Sequence, residues 1–235
     1  MEKAVNITRK EELRFLPSRG RVYLGNDFCP RLLPLSDEFD EMIAACLKKK
    51  LKITIITSYA GSEDFGRMAE FVGHADKRGI LSEIVVNDIG VLNFVYKKFP
   101  SCRIILGRAM ASFINHQSFR KKYKIERIET DPNAIPAIIP SGVNISVYGV
   151  RYAVVTRYCA FSGAGKNFSK NPGIIGCCQE CLKFPVLKVE HHVLPGAASL
   201  RGNVVFFDSR DLSFAGKKPD RLVNIPRFAK NNNSG

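Results

Sequence analysis

Three features of this 235-residue sequence predict an α/β fold built as a (β/α) barrel, closed or incomplete, with a β-rich, cysteine-bearing C-terminal part. Short apolar runs without polar alternation recur through the first half, as strands buried on both faces require. Segments of helical periodicity separate them, and strand–helix alternation of this kind is the signature of parallel β/α units. Beyond about residue 135 the pattern changes to β-rich pieces broken by Gly- and Pro-rich turns.

The first expected strand is Arg21–Gly25 (RVYLG), and the helix that follows, 37–50 (DEFDEMIAACLKKK), begins acidic and ends basic, as the helix dipole favours. Residues 52–57 (KITIIT) form the next strand. Residues 61–79 carry Phe65, Met68, Ala69 and Val72 at helical spacing. Strand 83–87 (EIVVN), helix 88–98 and strand 103–107 (RIILG) continue the series. In the second half, 144–148, 152–156 and 203–207 read as strands. One domain is expected, with β/α units over 20–130, the β-rich segment over 135–210 and a flexible tail at 228–235. Without strands assigned before residue 20 or after 210, the chain looks short for a closed barrel of about 250 residues, which makes completion by a partner an expectation.

A hydrophobic content of 45% supplies a full core. No apolar run approaches the roughly 18 residues of a membrane span, and no secretory signal is visible. The seven cysteines are odd in number and partly clustered, which argues for thiols or metal ligands in a reducing, cytoplasmic setting. A net charge of +14 implies attraction to RNA, an acidic partner protein or an anionic small molecule. The excess is dispersed in patches such as Lys48-Lys49-Lys50, Arg120-Lys121-Lys122 and Lys217-Lys218, which read first as solvated helix ends and loops.

Cys159 and the knot Cys177-Cys178-Gln179-Glu180-Cys181 carry the strongest chemical signal, because thiolates on loops can wrap a soft or borderline metal. A four-ligand site needs one more donor from a distance. Cys29 is the candidate: it follows RVYLG in LGNDFCP, at a strand C-terminus where barrel loops converge. Spacing leaves an iron–sulfur cluster and a four-thiolate zinc site both open, and only one of Cys177 and Cys178 is expected to ligate. Cys46, within IAACL, and Cys102 read as small buried hydrophobes.

Three residues at predicted strand ends are candidate substrate contacts. Asn87 and Asp88 close EIVVN and open a helix, where helix capping is the competing role for the Asp carboxylate. Arg108 follows RIILG and could clamp an anionic substrate or be ion-paired. The loop at 162–167 (SGAGKN) lacks the full phosphate-loop pattern, and the His191-His192 pair reads as packed or solvent-exposed. No Ser–His–Asp or Cys–His arrangement for proteolysis is apparent.

Taken together, VYLGNDFCPR at 22–31, EIVVNDIGVLNFV at 83–95, LGRAMAS at 106–112 and NISVYGVRYAVVTRYCAFSG at 144–163, leading into GCCQEC, resemble the collagenase-like peptidase family (peptidase family U, number thirty-two), and its UbiV-like branch most of all. The resemblance spans roughly 20–210. Where peptidase-type members carry a Glu, a His and an extra Cys, this chain has Asn144, Tyr148 and Tyr152. The resemblance implies a [4Fe–4S] cluster on Cys29, Cys159, Cys177 and Cys181. It also implies a larger UbiU-like partner and a place in oxygen-independent, prephenate-dependent hydroxylation of a ubiquinone precursor. Other branches resemble RNA hydroxylases.

Overall fold

The computed structural model of the chain describes residues 1–131, 139–156, 159, 161, 177, 179–183, 186–190, 192, 198–208 and 218–226. Cys178, His191, the 162–167 loop, Lys217 and the 228–235 tail lie outside the described residues.

Eight parallel strands close a barrel. In chain order these are β1 (Glu2–Ile7), β2 (Arg21–Gly25), β3 (Lys52–Ile56), β4 (Glu83–Val86), β5 (Arg103–Leu106), β6 (Arg127–Thr130), β7 (Asn144–Tyr148) and, last in sequence, β12 (Arg221–Asn224). Helices α1 (Ser36–Lys48), α2 (Phe65–Lys77), α3 (Ile89–Lys98) and α4 (Gln117–Tyr123) cover its outside. Between β7 and β12 the chain leaves the barrel to build a four-stranded antiparallel sheet from β8 (Val150–Val155), β9 (Leu187–Val189), β10 (Ala198–Arg201) and β11 (Val204–Asp208), in the order β8-β11-β10-β9.

The barrel is therefore complete within this chain. β1 pairs with β2 on one side and with β12 on the other, so the first and last strands close the circle together. Both escaped the sequence reading. EKAVNI and RLVN are short and each begins with a charge, and Glu2 and Arg221 pair in the barrel floor instead of marking loops. Of the two forms the sequence left open, closed or incomplete, the chain adopts the closed one, and with that goes the ground for completion by a partner.

Strand residues alternate between two cores, as in any barrel. Val22, Leu24, Ile53, Ile55, Ile84, Val86, Ile104 and Leu106 face out and pack against the helices, with Phe39, Met42, Met68, Val72 and Leu92. Tyr23, Ile56, Val85, Ile105, Tyr148 and Val223 face in, and this inner core runs on without a break into Phe28, Leu32, Cys181, Val204 and Phe206 of the cysteine lobe. The barrel interior and the second sheet share one hydrophobic core.

An ion network plugs the N-terminal end of the barrel. Glu83 Oε1 accepts from Arg21 at 3.0 Å, from Arg221 at 3.0 Å and from the Thr54 hydroxyl at 2.6 Å. Glu2 takes a second hydrogen bond from each arginine. Burial pushes the Glu83 carboxyl up, but Arg221, the Thr54 hydroxyl and Arg21 more than offset it and hold the group below its ordinary value. The chemistry is left to the opposite, C-terminal end, where barrel loops converge.

Candidate functional site

Cys29 leaves β2 through a tight loop. Gly25 has φ +120, and a Cβ there would lie 2.2 Å from the Ile56 carbonyl oxygen, so only glycine lets the strand turn at this point. Asn26 then holds the turn, its Oδ1 accepting from the amides of Phe28 (3.0 Å) and Cys29 (2.8 Å). Two contacts dock the cysteine lobe onto this loop. Asn203 Nδ2 donates to the Phe28 carbonyl at 2.7 Å and to the Thr156 carbonyl at 2.8 Å, and Gln179 Nε2 donates to the Arg31 carbonyl at 2.7 Å.

This docking brings four thiols from distant segments together. Cys181 is buried and hydrogen-bonded to Cys159, and Cys29 and Cys177 lie within electrostatic reach of both. Burial pushes the Cys29 thiol up to about 12 and raises Cys177; for Cys181 the contact with Cys159 raises it first, then burial. Cys29, Cys159 and Cys177 line a small cavity of about 30 Å³ together with Arg31, Asp64 and Tyr59. The donor set is all sulfur, which suits a soft or borderline metal centre. Among the described residues, no three His, Cys, Asp or Glu side chains are arranged to hold a metal ion. Cys46 and Cys102 are buried among the apolar residues of the outer core.

A second, larger cavity of about 430 Å³ lies at the barrel mouth and shares Tyr59 and Thr156 with the first. Asp27, Asn87, Arg108, Ala109, Asp131, Tyr152 and Val155 complete its lining. The Arg108 side chain is only 8% exposed, and it pairs with Asp27 and, at 2.8 Å, with Asp131. It also donates to the Val150 carbonyl at 3.0 Å. Its guanidinium carbon lies 3.8 Å from the Tyr148 ring centre and 3.4 Å from that of Tyr152. Two rings cannot share one face at such distances, so the guanidinium is sandwiched between them. Burial works against its charge, but Tyr152, Asp27 and Asp131 keep it firmly protonated.

The three candidate substrate contacts separate in the structure. Arg108 is the hub of the cavity wall. Asn87 lines the cavity while stapling the loops, its Nδ2 donating to the Thr57 carbonyl at 2.8 Å and its Oδ1 accepting from the Ala109 amide at 3.2 Å. Asp88 is the N-cap of α3, accepting from the amides of Gly90 and Val91, and is not part of the cavity lining. Sequence reasoning missed Asp27, Asp131 and Glu129. Asp27 stood two residues from Cys29 in a loop already singled out, whereas Glu129 belongs to β6 and Asp131 directly follows it, a strand too polar (RIET) to register as one.

Beneath Arg108, Glu129 is fully buried; the Tyr148 hydroxyl donates to its Oε2, and its Oε1 has no hydrogen-bond partner. Burial raises its pKa to about 7, against the lowering effect of the Tyr148 and Tyr23 hydroxyls and of Arg108 and Arg221. No helix among the described residues is long and apolar enough to cross a membrane.

No family model matches the sequence, and no curated protein matches it. Among solved structures, the U32 peptidase Mk0906 is similar over 96% of this chain and 92% of its own, with a TM-score of 0.52 and 10% sequence identity. At that identity the likeness concerns architecture alone: this chain has the barrel fold of a U32 peptidase.

Proposed function

We propose that this is an iron–sulfur protein in which Cys29, Cys159, Cys177 and Cys181 hold a [4Fe–4S] cluster beside the barrel mouth. In this reading it acts as a UbiV-like subunit of an oxygen-independent hydroxylation system for a ubiquinone precursor, together with a larger UbiU-like partner. The observation that carries the reading is the meeting of four thiols from three separate segments next to a ligand-sized cavity. When bound, such a cluster supplies one-electron transfer. The chain's own contribution is to fix the Cys29 loop through Asn26, to dock the Cys177–Cys181 segment through Gln179 and Asn203, and to shape the adjoining cavity.

Proteolysis, which the name of the structural neighbour suggests, has less support. Of the described histidines, His74 pairs with Asp40 and His116 packs on Phe113, and no described histidine lines either cavity. Anaerobic purification with iron and sulfide analysis tests the proposal. Iron and sulfide in near-equal amounts are expected, lost in each of Cys29→Ala, Cys159→Ala and Cys181→Ala but retained in Cys46→Ala and Cys102→Ala. Zinc without sulfide, or full cluster content in Cys29→Ala, would overturn it.

A further inference from the structure

The described lining of the barrel-mouth cavity holds one cation and two carboxylates, and the cation's unpartnered nitrogen, Nε, has no exposed surface to present to a ligand. One terminal nitrogen of Arg108 serves Asp131 and the Val150 carbonyl, and the other serves Asp27. Its Nε is buried and unpartnered, and both its faces are covered by Tyr148 and Tyr152. A carboxylate or phosphate entering the cavity would find the Nη1 and Nη2 nitrogens already paired with carboxylates and the Nε edge buried, so forked recognition would require Arg108 to move.

The carboxylates are in the opposite condition. Asp27 Oδ1 accepts from the Tyr152 hydroxyl at 3.0 Å and Oδ2 from Arg108, while Asp131 Oδ1 accepts from Arg108 and Oδ2 from the Tyr152 amide at 3.3 Å. Each oxygen can accept about two hydrogen bonds, so every one of them has capacity to spare. Two carboxylates against one guanidinium also leave a local charge of −1 among the described lining residues. The protein as a whole carries +14, which repels cations at long range. Beyond about 10 Å that repulsion is screened by salt, so inside the cavity the nearby groups decide. The rest of the wall is flat and apolar: Tyr59 is 46% exposed and Val155 41% exposed at the rim. Tyrosine faces favour cations as well as rings.

We infer that this cavity is a binding site for a cationic amine attached to a flat apolar body, with Asp131 and Asp27 recognising the ammonium group and Tyr59, Tyr152 and Val155 receiving the ring. Arg108 is a positioning residue that holds the two carboxylates apart and in place. The inference does not rest on the cluster, since no described cysteine contributes to the cavity. One consequence bears on the hydroxylation reading: an anionic oxygen donor such as prephenate would be handled outside this cavity.

The test uses three probes of one ring and three charges, namely benzylamine, benzyl alcohol and benzoate, titrated against the full chain as purified and followed by NMR or calorimetry. Benzylamine is expected to bind at least tenfold more tightly than benzoate, with benzyl alcohol between. Asp131→Asn should shrink the benzylamine advantage severalfold. Val155→Trp, a change at an exposed rim position that leaves the buried ion network intact, should block all three probes with an unchanged melting temperature. The inference is overturned if benzoate binds as tightly as benzylamine, if none of the probes binds the folded protein, or if Val155→Trp leaves benzylamine binding intact.

Discussion

Arg108 and Tyr152 lie face to face, guanidinium carbon 3.4 Å from the ring centre, although one follows the barrel strand β5 and the other belongs to the second sheet. The pair joins the two halves of the molecule at the point where the cavity forms. The Tyr152 hydroxyl also donates to Asp27, so the ring that stacks on the cation also orients its counter-charge.

Because Arg108 is buried with two carboxylates, Arg108→Met should be strongly destabilising, by about 3–5 kcal/mol, since it leaves Asp27 and Asp131 without their counter-charge. Adding Asp27→Asn should recover part of the loss. Urea unfolding of the single and double variants measures this. A single variant as stable as the parent would show that the pair contributes little.

Glu129 should make stability fall with rising pH. Below its ordinary value of 4.5 the carboxyl is protonated in both states, and the stability is fully present. Above 4.5 the unfolded chain releases the proton while the folded protein keeps it up to about 7, so stability is lost across that window and then levels off. The shift corresponds to a loss on the order of 3 kcal/mol. Glu129→Gln has no proton to lose, so the difference in unfolding free energy between parent and variant should change across that window. A parallel pair of pH–stability curves would count against the buried acid.

Gly107 is occupied by its neighbour. A Cβ at this position would stand 2.2 Å from Asn87 Oδ1, while the backbone there is ordinary extended chain, so space and not conformation demands the glycine. Gly107→Ala should displace Asn87 and cost about 1–3 kcal/mol, as overpacking does. In an Asn87→Ala background the same substitution should cost markedly less, a non-additivity that a double-mutant cycle reads directly.

Asp88 tests the division of labour at the end of β4. As the cap of α3 it accepts from Gly90 at 2.7 Å and Val91 at 3.1 Å, so Asp88→Ala should cost about 1 kcal/mol in stability. Binding in the mouth cavity should be unchanged. Loss of binding in a variant that remains folded would return Asp88 to the list of ligand contacts.

The sequence by itself determined the β2–β5 strands, the helices between them, the burial of Cys46 and Cys102, and the β-rich character of the second half. Each of these rests on local signals, an unbroken apolar run or a helical period, that need no knowledge of distant residues. It did not reveal β1, β6 or β12. Their polar residues, the half-buried Glu2 and the buried Glu129 and Arg221, are paired or packed with groups from other strands, and a charge looks like a loop until its partner is known. Closure of the barrel was decided by the tertiary structure for the same reason, because β1 meets β12 only after the whole chain has gone round. The cavity followed the same rule. Arg108 was legible as a strand-end cation, but Asp27, Asp131 and Tyr152 reach it across wide sequence separations, and only their convergence turned a free guanidinium into a neutralised, sandwiched one.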